Sequence, residues 1–77
     1  MEERDFISLV EEILEVDPGT VTMADSLDDI EWDSLSNISF IAEIDARIGA
    51  PIDADQLSKA NTVTDLYAIV QDAAQRS

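Results

Sequence analysis

The apolar residues of this chain recur on the helical period and nowhere keep up the alternation of a strand, which narrows the fold more than any other feature. Phe6, Leu9, Val10, Ile13 and Leu14 fall at i, i+3, i+4, i+7 and i+8, a single stripe of an amphipathic helix. Glu11, Glu12 and Glu15 are expected on the opposite, solvated side. Glu2, Glu3 and Asp5 in the first turn suit the positive end of the helix dipole. The helix is expected to end near Val16, because Pro18 disfavours helical geometry at Asp17 and Gly19 invites a turn.

A second helical pattern starts at Ser34. Leu35, Ile38, Ile41, Ala42 and Ile48 form one stripe, and Phe40 and Ile44 widen it beyond half the circumference. Such a helix is central to the fold or offers part of its surface to a partner. Gly49 suits a C-cap, and Pro51 prevents continuation. A third pattern, Val63, Leu66, Tyr67, Val70, Ala73 and Ala74, opens with Thr62-Val63-Thr64-Asp65, a form of the capping box with Thr62 as N-cap. Between them, Asp53-Ala54-Asp55-Gln56-Leu57-Ser58 is long enough for one or two helical turns. The expected fold is all-α: a small four-helix bundle of three main helices and one short one, with a long loop (residues 17–33) between the first two. Structureless loops of that length are uncommon in small domains and tend to be functional.

At 77 residues the chain reads as one domain, residues 1–77, and Met1 with the short tail Gln75-Arg76-Ser77 points to a free-standing protein. The formal charge is −14, unevenly spread. Residues 1–33 hold 12 acids and one base, whereas residues 34–77 hold six acids and three bases. That balance excludes nucleic acid and anionic membranes as partners, since phosphates are met by Lys and Arg. No apolar run nears the roughly 20 residues that span a bilayer, and Met1-Glu2-Glu3-Arg4 opens nothing like a signal peptide, so a cytoplasmic monomer is expected. Self-repulsion on this scale makes stability salt-sensitive. Added salt or divalent cations should raise the melting temperature; a flat response would contradict this.

The densest acidic run, residues 25–33, has five acids in nine positions. It is not a calcium loop. Counted from Asp25, position 6 is Ile30 and position 12 is Ser36; counted from Asp53, they are Ser58 and Thr64, where an EF-hand needs Gly and Glu. No resident metal is expected.

The run ends on Glu31-Trp32-Asp33-Ser34-Leu35-Ser36-Asn37-Ile38, which puts the Ser34 hydroxyl at a helix N-terminus and at the end of a mobile loop. Ser is among the preferred N-cap residues, and a cap is one reading of Ser34. A phosphate ester at the same place would meet unpaired backbone N–H groups and the favourable dipole end. Ser34 has no catalytic company: the chain contains no His, no Cys and a single Lys, Lys59. A serine without an activating base fits the recipient of a modification better than an agent of catalysis.

Asp33-Ser34-Leu35 at the head of a second helix, after an amphipathic first helix and a long acidic loop, resembles the acyl carrier proteins. The similarity extends over essentially the whole chain, through Asp25-Ser26-Leu27, Arg47-Ile48-Gly49, Pro51-Ile52 and Thr62-Val63-Thr64-Asp65-Leu66. It implies that Ser34 takes 4′-phosphopantetheine from coenzyme A through a magnesium-dependent phosphopantetheinyl transferase, and that the arm's thiol carries acyl groups as thioesters. Asp33 would stand beside the modified serine near the transferase's magnesium, with Leu35 on its other side. The absence of Cys agrees, because no competing thiol is present.

The same resemblance implies a carrier rather than an enzyme. Its partners would be an acyltransferase, an acyl or aminoacyl ligase, or ketosynthase-type enzymes with basic docking surfaces. Familiar fatty-acid carriers have a markedly acidic second helix; here the positions expected to be exposed are Ser36, Asn37, Ser39, Glu43, Asp45, Ala46 and Arg47, a weakly acidic set. Trp32, Ser36, Asn37, Ser39, Glu43 and Arg47 are the candidate partner contacts. This points to a dedicated partner in polyketide or other specialised natural-product synthesis more than to housekeeping fatty-acid synthesis.

Trp32 is otherwise expected to pack the loop onto the core. Phe6, Phe40 and Tyr67 read as core residues, with the Tyr67 hydroxyl at the surface. An acyl cavity would be lined by Leu35, Ile38, Ile41, Ile52, Leu57, Val63 and Leu66. Two alternatives stand: an aminoacyl or peptidyl carrier, less favoured because Glu31-Trp32 replaces the Gly-Gly common there, and an acidic adaptor in which Ser34 is only a cap.

Overall fold

The computed structural model describes residues 1–76, Arg76 without its side chain; Ser77, the end of the expected tail, lies outside the described residues. Four helices follow in order: α1 Glu3–Leu14, α2 Ser34–Ile48, α3 Ala54–Ser58 and α4 Val63–Arg76. No strand occurs among the described residues. The expected helical bundle and its long loop are present.

Local chemistry sets the boundaries. Helix α1 stops at Leu14, two residues before the expected end, because Glu15 turns into the left-handed region (φ 59°) and Val16 N–H reaches back to the Glu11 carbonyl at 3.1 Å. Gly49 caps α2 at φ 66°, a conformation a glycine adopts without a Cβ penalty. The Asp53 carboxylate accepts from Asp55 N–H (2.9 Å) and starts α3. At α4 the capping box closes in both directions: Thr62 Oγ1 accepts from Asp65 N–H (3.2 Å), and Asp65 accepts from Asn61 and Thr62 N–H (2.9 and 3.2 Å).

The core gathers Phe6, Leu9 and Val10 of α1, Phe40 and Ile44 of α2, Leu57 of α3, and Val63, Leu66 and Val70 of α4. Phe6 is its hub, edge-on to Phe40 (5.8 Å) and to Tyr67 (5.1 Å). The Tyr67 hydroxyl is not simply at the surface. It donates to the Met1 carbonyl (3.0 Å), accepts from Gln71 Nε2 (3.1 Å), and so ties the N-terminus to α4.

The loop expected to be mobile is fastened at both ends. Its first half is held by Glu11, which was expected on the solvated side but is buried, 5% exposed. The Glu11 carboxylate accepts from Gly19 N–H (2.7 Å) and Val21 N–H (3.2 Å). The correction has a simple cause: Glu11 stands four residues after Ile7 and three before Leu14, on the same edge of α1. Glu11→Ala would strand two amide donors at a cost of about 1–3 kcal/mol, whereas Glu11→Gln keeps an acceptor oxygen and should lose less. Chemical denaturation of the two variants measures the difference.

The second half is stitched to the start of α4. Leu27 N–H donates to the Asn61 carbonyl (2.9 Å), Val63 N–H to Asp25 (3.0 Å) and Thr64 N–H to Met23 (3.1 Å), around an isolated antiparallel bridge between Ser26 and Thr62. Val21 and Leu27 descend into the core on either side of this seam.

Candidate functional site

The N-terminus of α2 is built by Asp33, not Ser34. The Asp33 backbone is extended (φ −131°, ψ −170°), and its carboxylate accepts from Ser36 N–H (2.9 Å) and Ser36 Oγ (3.1 Å). The reading of Ser34 as a cap is thereby corrected, since a charged acceptor stands one residue earlier and already takes the Ser36 N–H. Ser34 is the first helical residue, exposed, with its hydroxyl outside the capping network.

Hydrogen bonding holds the Asp33 carboxyl below the ordinary aspartate value of 3.8, first through Ser36 N–H and then through the Ser36 hydroxyl. Asp65 is lowered likewise by Asn61 and Thr62 N–H. A depressed folded-state pKa means a contribution to stability that is complete above the ordinary value and lost as pH falls through the lower one. The stability difference between wild type and Asp33→Asn or Asp65→Asn should therefore be largest near neutrality and shrink below about pH 3.8. Urea titrations at stepped pH check this.

The face of α2 turned inward differs from the expected one. Ser36, Phe40 and Ile44 are buried, at i, i+4 and i+8, while Leu35 is 74% and Ile38 64% exposed. A helix apolar over more than half its circumference offers two stripes, and the edge-on fit of Phe40 against Phe6 selects the one that goes inside. Leu35 and Ile38 therefore line no interior cavity. Leu57, Val63 and Leu66, expected beside them, are packed shut at 2%, 0% and 0% exposure.

The candidate partner residues separate accordingly. Ser36, expected to be exposed, is buried under the Asp33 cap. Asn37 is half-buried, and its side-chain carbonyl accepts from Trp32 Nε1. Trp32 is half-buried and packs edge-on against Phe40 (5.7 Å), joining the loop to the core as expected. Ser39, Glu43 and Arg47 are exposed, and Arg47 reaches Glu43 (3.4 Å) and Glu12 on α1 (3.6 Å). The exposed surface around Ser34 thus includes Glu31, Asp33, Leu35, Ile38 and Ser39.

Beside that surface lies a cavity of about 300 Å³ whose lining includes Ile13, Leu14, Val16 and Ile30 together with Asp33, Leu35 and Ser39. Sequence reasoning missed this role for the end of α1 and for Ile30. Their apolarity was visible, but the loop path that brings them to α2 was not.

A family model described as "Phosphopantetheine attachment site" matches residues 4–70, nearly the whole folded region. The chain belongs to the phosphopantetheine-binding acyl carrier protein family. An acyl carrier protein of Rhodococcus erythropolis (strain PR4 / NBRC 100887) is 31% identical over 64 residues, covering 82% of this chain and 70% of the relative. No solved structure matches.

Members of this carrier family bear 4′-phosphopantetheine covalently, and the head of α2 fits such a group. It offers an exposed hydroxyl free of capping duty, no acidic residue within the first helical turn, and open solvent outside. A phosphodiester there would sit at the positive end of a 15-residue helix. Carrier proteins are not catalysts. Among the described residues no three acidic side chains gather as a metal cage, and no helix is long and apolar enough to cross a membrane.

Proposed function

We propose that this chain is an acyl carrier protein whose attachment residue is Ser34, serving polyketide or another specialised natural-product synthesis, with fatty-acid synthesis the neighbouring possibility. The observation that carries the reading is the division of labour at the head of α2. Asp33 takes over the capping, so Ser34 can give up its hydroxyl hydrogen without loosening the helix. When attached, the arm supplies a terminal thiol on which acyl groups travel as thioesters.

The chain's own residues do the presenting. Asp33 orients the first turn, and its carboxylate places a negative charge beside Ser34 for a transferase's magnesium. The Trp32–Asn37 hydrogen bond braces the approach from the loop. Leu35 and Ile38 project outward as apolar contacts for whichever enzyme holds the carrier.

Arg47 supports a dedicated partner. It answers both Glu43 and Glu12, so the exposed side of α2 is less negative than the overall charge of −14 would imply. Partner recognition then rests on Leu35, Ile38 and Ser39 more than on a row of carboxylates. Efficient use by fatty-acid synthase enzymes across the board would argue against that part of the proposal.

The test of the attachment reading is intact mass after incubation with coenzyme A and a phosphopantetheinyl transferase. A gain of one phosphopantetheine is expected; no gain would remove the carrier reading.

A further inference from the structure

The chain enters α2 through a kink. Glu31 stands in the left-handed region at φ 58°, a conformation that a residue with a Cβ keeps only where its surroundings hold it. Trp32 does the holding, and it is fastened three times. Its backbone N–H donates to the Leu27 carbonyl (3.0 Å), its ring packs edge-on against Phe40 (5.7 Å), and its indole N–H donates to the Asn37 side-chain carbonyl.

Asn37 closes this arrangement from the far side of Ser34. Its backbone N–H also donates to the Asp33 carbonyl (3.0 Å), so one residue reaches back to both residues that precede Ser34. The pairing is chemically restrictive. An indole nitrogen only donates, so position 37 must answer with an acceptor.

We infer that Asn37 is a positioning residue for phosphopantetheine transfer: through Trp32 it fixes the Glu31 kink against the head of α2, so that a transferase meets the exposed Glu31, Asp33 and Ser34 in one arrangement; the inference rests on attachment at Ser34. In that transfer Ser34 Oγ displaces the adenosine-bisphosphate half of coenzyme A at phosphorus, and the hydroxyl proton passes to a base of the transferase. Asp33 is locked by its own bonds to Ser36, and the brace adds the loop. Without it the cap still starts the helix, but the kink at Glu31 is free to relax. A transferase that grips the braced form then finds only a fraction of the carrier competent. The KM for the carrier rises by the inverse of that fraction, and kcat at saturation stays the same.

The test uses the full chain at graded concentrations with coenzyme A and a phosphopantetheinyl transferase, the rate being followed by intact mass. Asn37→Leu removes the acceptor and should raise KM between about two- and tenfold, the range set by one hydrogen bond, with kcat unchanged. Asn37→Asp keeps an acceptor oxygen and should restore KM to within about twofold of wild type. Trp32→Phe keeps a ring beside Phe40 but loses the donor, and should match Asn37→Leu. The double variant should be no worse than either single one, because both remove the same bond. Trp32 emission should also shift in Asn37→Leu, a readout independent of the enzyme. Far-UV circular dichroism checks the helices; if Trp32→Phe fails to fold, the contrast between Asn37→Leu and Asn37→Asp decides alone. An unchanged KM in Asn37→Leu would overturn the inference, as would failure of Asn37→Asp to restore it. Additive losses in the double variant would also overturn it, since Asn37 would then touch the transferase directly. No mass gain in the wild type would instead overturn attachment itself.

Discussion

Ser34→Ala is expected to abolish phosphopantetheinylation completely while leaving the fold untouched. The loss is all-or-none because the modification needs one particular oxygen. The fold survives because that oxygen does no structural work: Ser34 is exposed, and the cap comes from Asp33. An exposed substitution of this kind stays within about 0.5 kcal/mol. Two other hydroxyls lie near enough to serve as controls. Ser36 is buried beneath the cap and Ser39 lies one turn further on, so Ser36→Ala and Ser39→Ala should both keep the full mass gain. An equal gain in Ser34→Ala and wild type would place the attachment elsewhere.

Phe40→Ala should be among the most damaging single changes to stability. Its ring is fully buried and meets Phe6 at 5.8 Å and Trp32 at 5.7 Å, both edge-on. Truncating such a ring costs about 3–5 kcal/mol through lost burial and the cavity left behind. Domains of this size sit near the low end of the usual ~5–15 kcal/mol, so much of the protein would unfold. Trp32 is the sole tryptophan and touches Phe40, so its fluorescence in a urea titration reads both packing and unfolding. Leu35→Ala is the matched comparison, with an expected effect within about 0.5 kcal/mol because Leu35 is 74% exposed. A larger loss from Leu35→Ala than from Phe40→Ala would mean that α2 faces inward by the other stripe.

That comparison marks the boundary of what the sequence made legible. The helices, the Gly49 cap, the Thr62–Asp65 box and the short α3 all carry local signatures, and each stands where its residues indicate. The rotation of α2 does not. With Leu35, Ile38, Phe40, Ile41 and Ile44 all apolar, periodicity admits two inward faces, and only the shape of Phe6 across the core decides between them. Glu11 was obscured for a different reason, as its two amide partners lie eight and ten residues ahead in a loop without periodic pattern. At the site itself, the chain order Asp33-Ser34-Leu35 and the family resemblance are what point to Ser34 as the attachment residue. The exchange of capping between Ser34 and Asp33 depended on backbone angles that composition does not encode.

The seam between the loop and the start of α4 joins residues about forty positions apart: Thr64 Oγ1 donates to the Met23 carbonyl at 2.7 Å, across a separation of 41. Closing a loop of that size costs conformational entropy before any contact offsets it, and the cost grows only slowly with length. The segment that delivers Ser34 therefore depends for its placement on the opening of the final helix. Extra residues inserted within residues 50–60 would tax that closure only mildly. A chain cut before Asn61 would retain every residue of the attachment motif and lose the surface against which it is set.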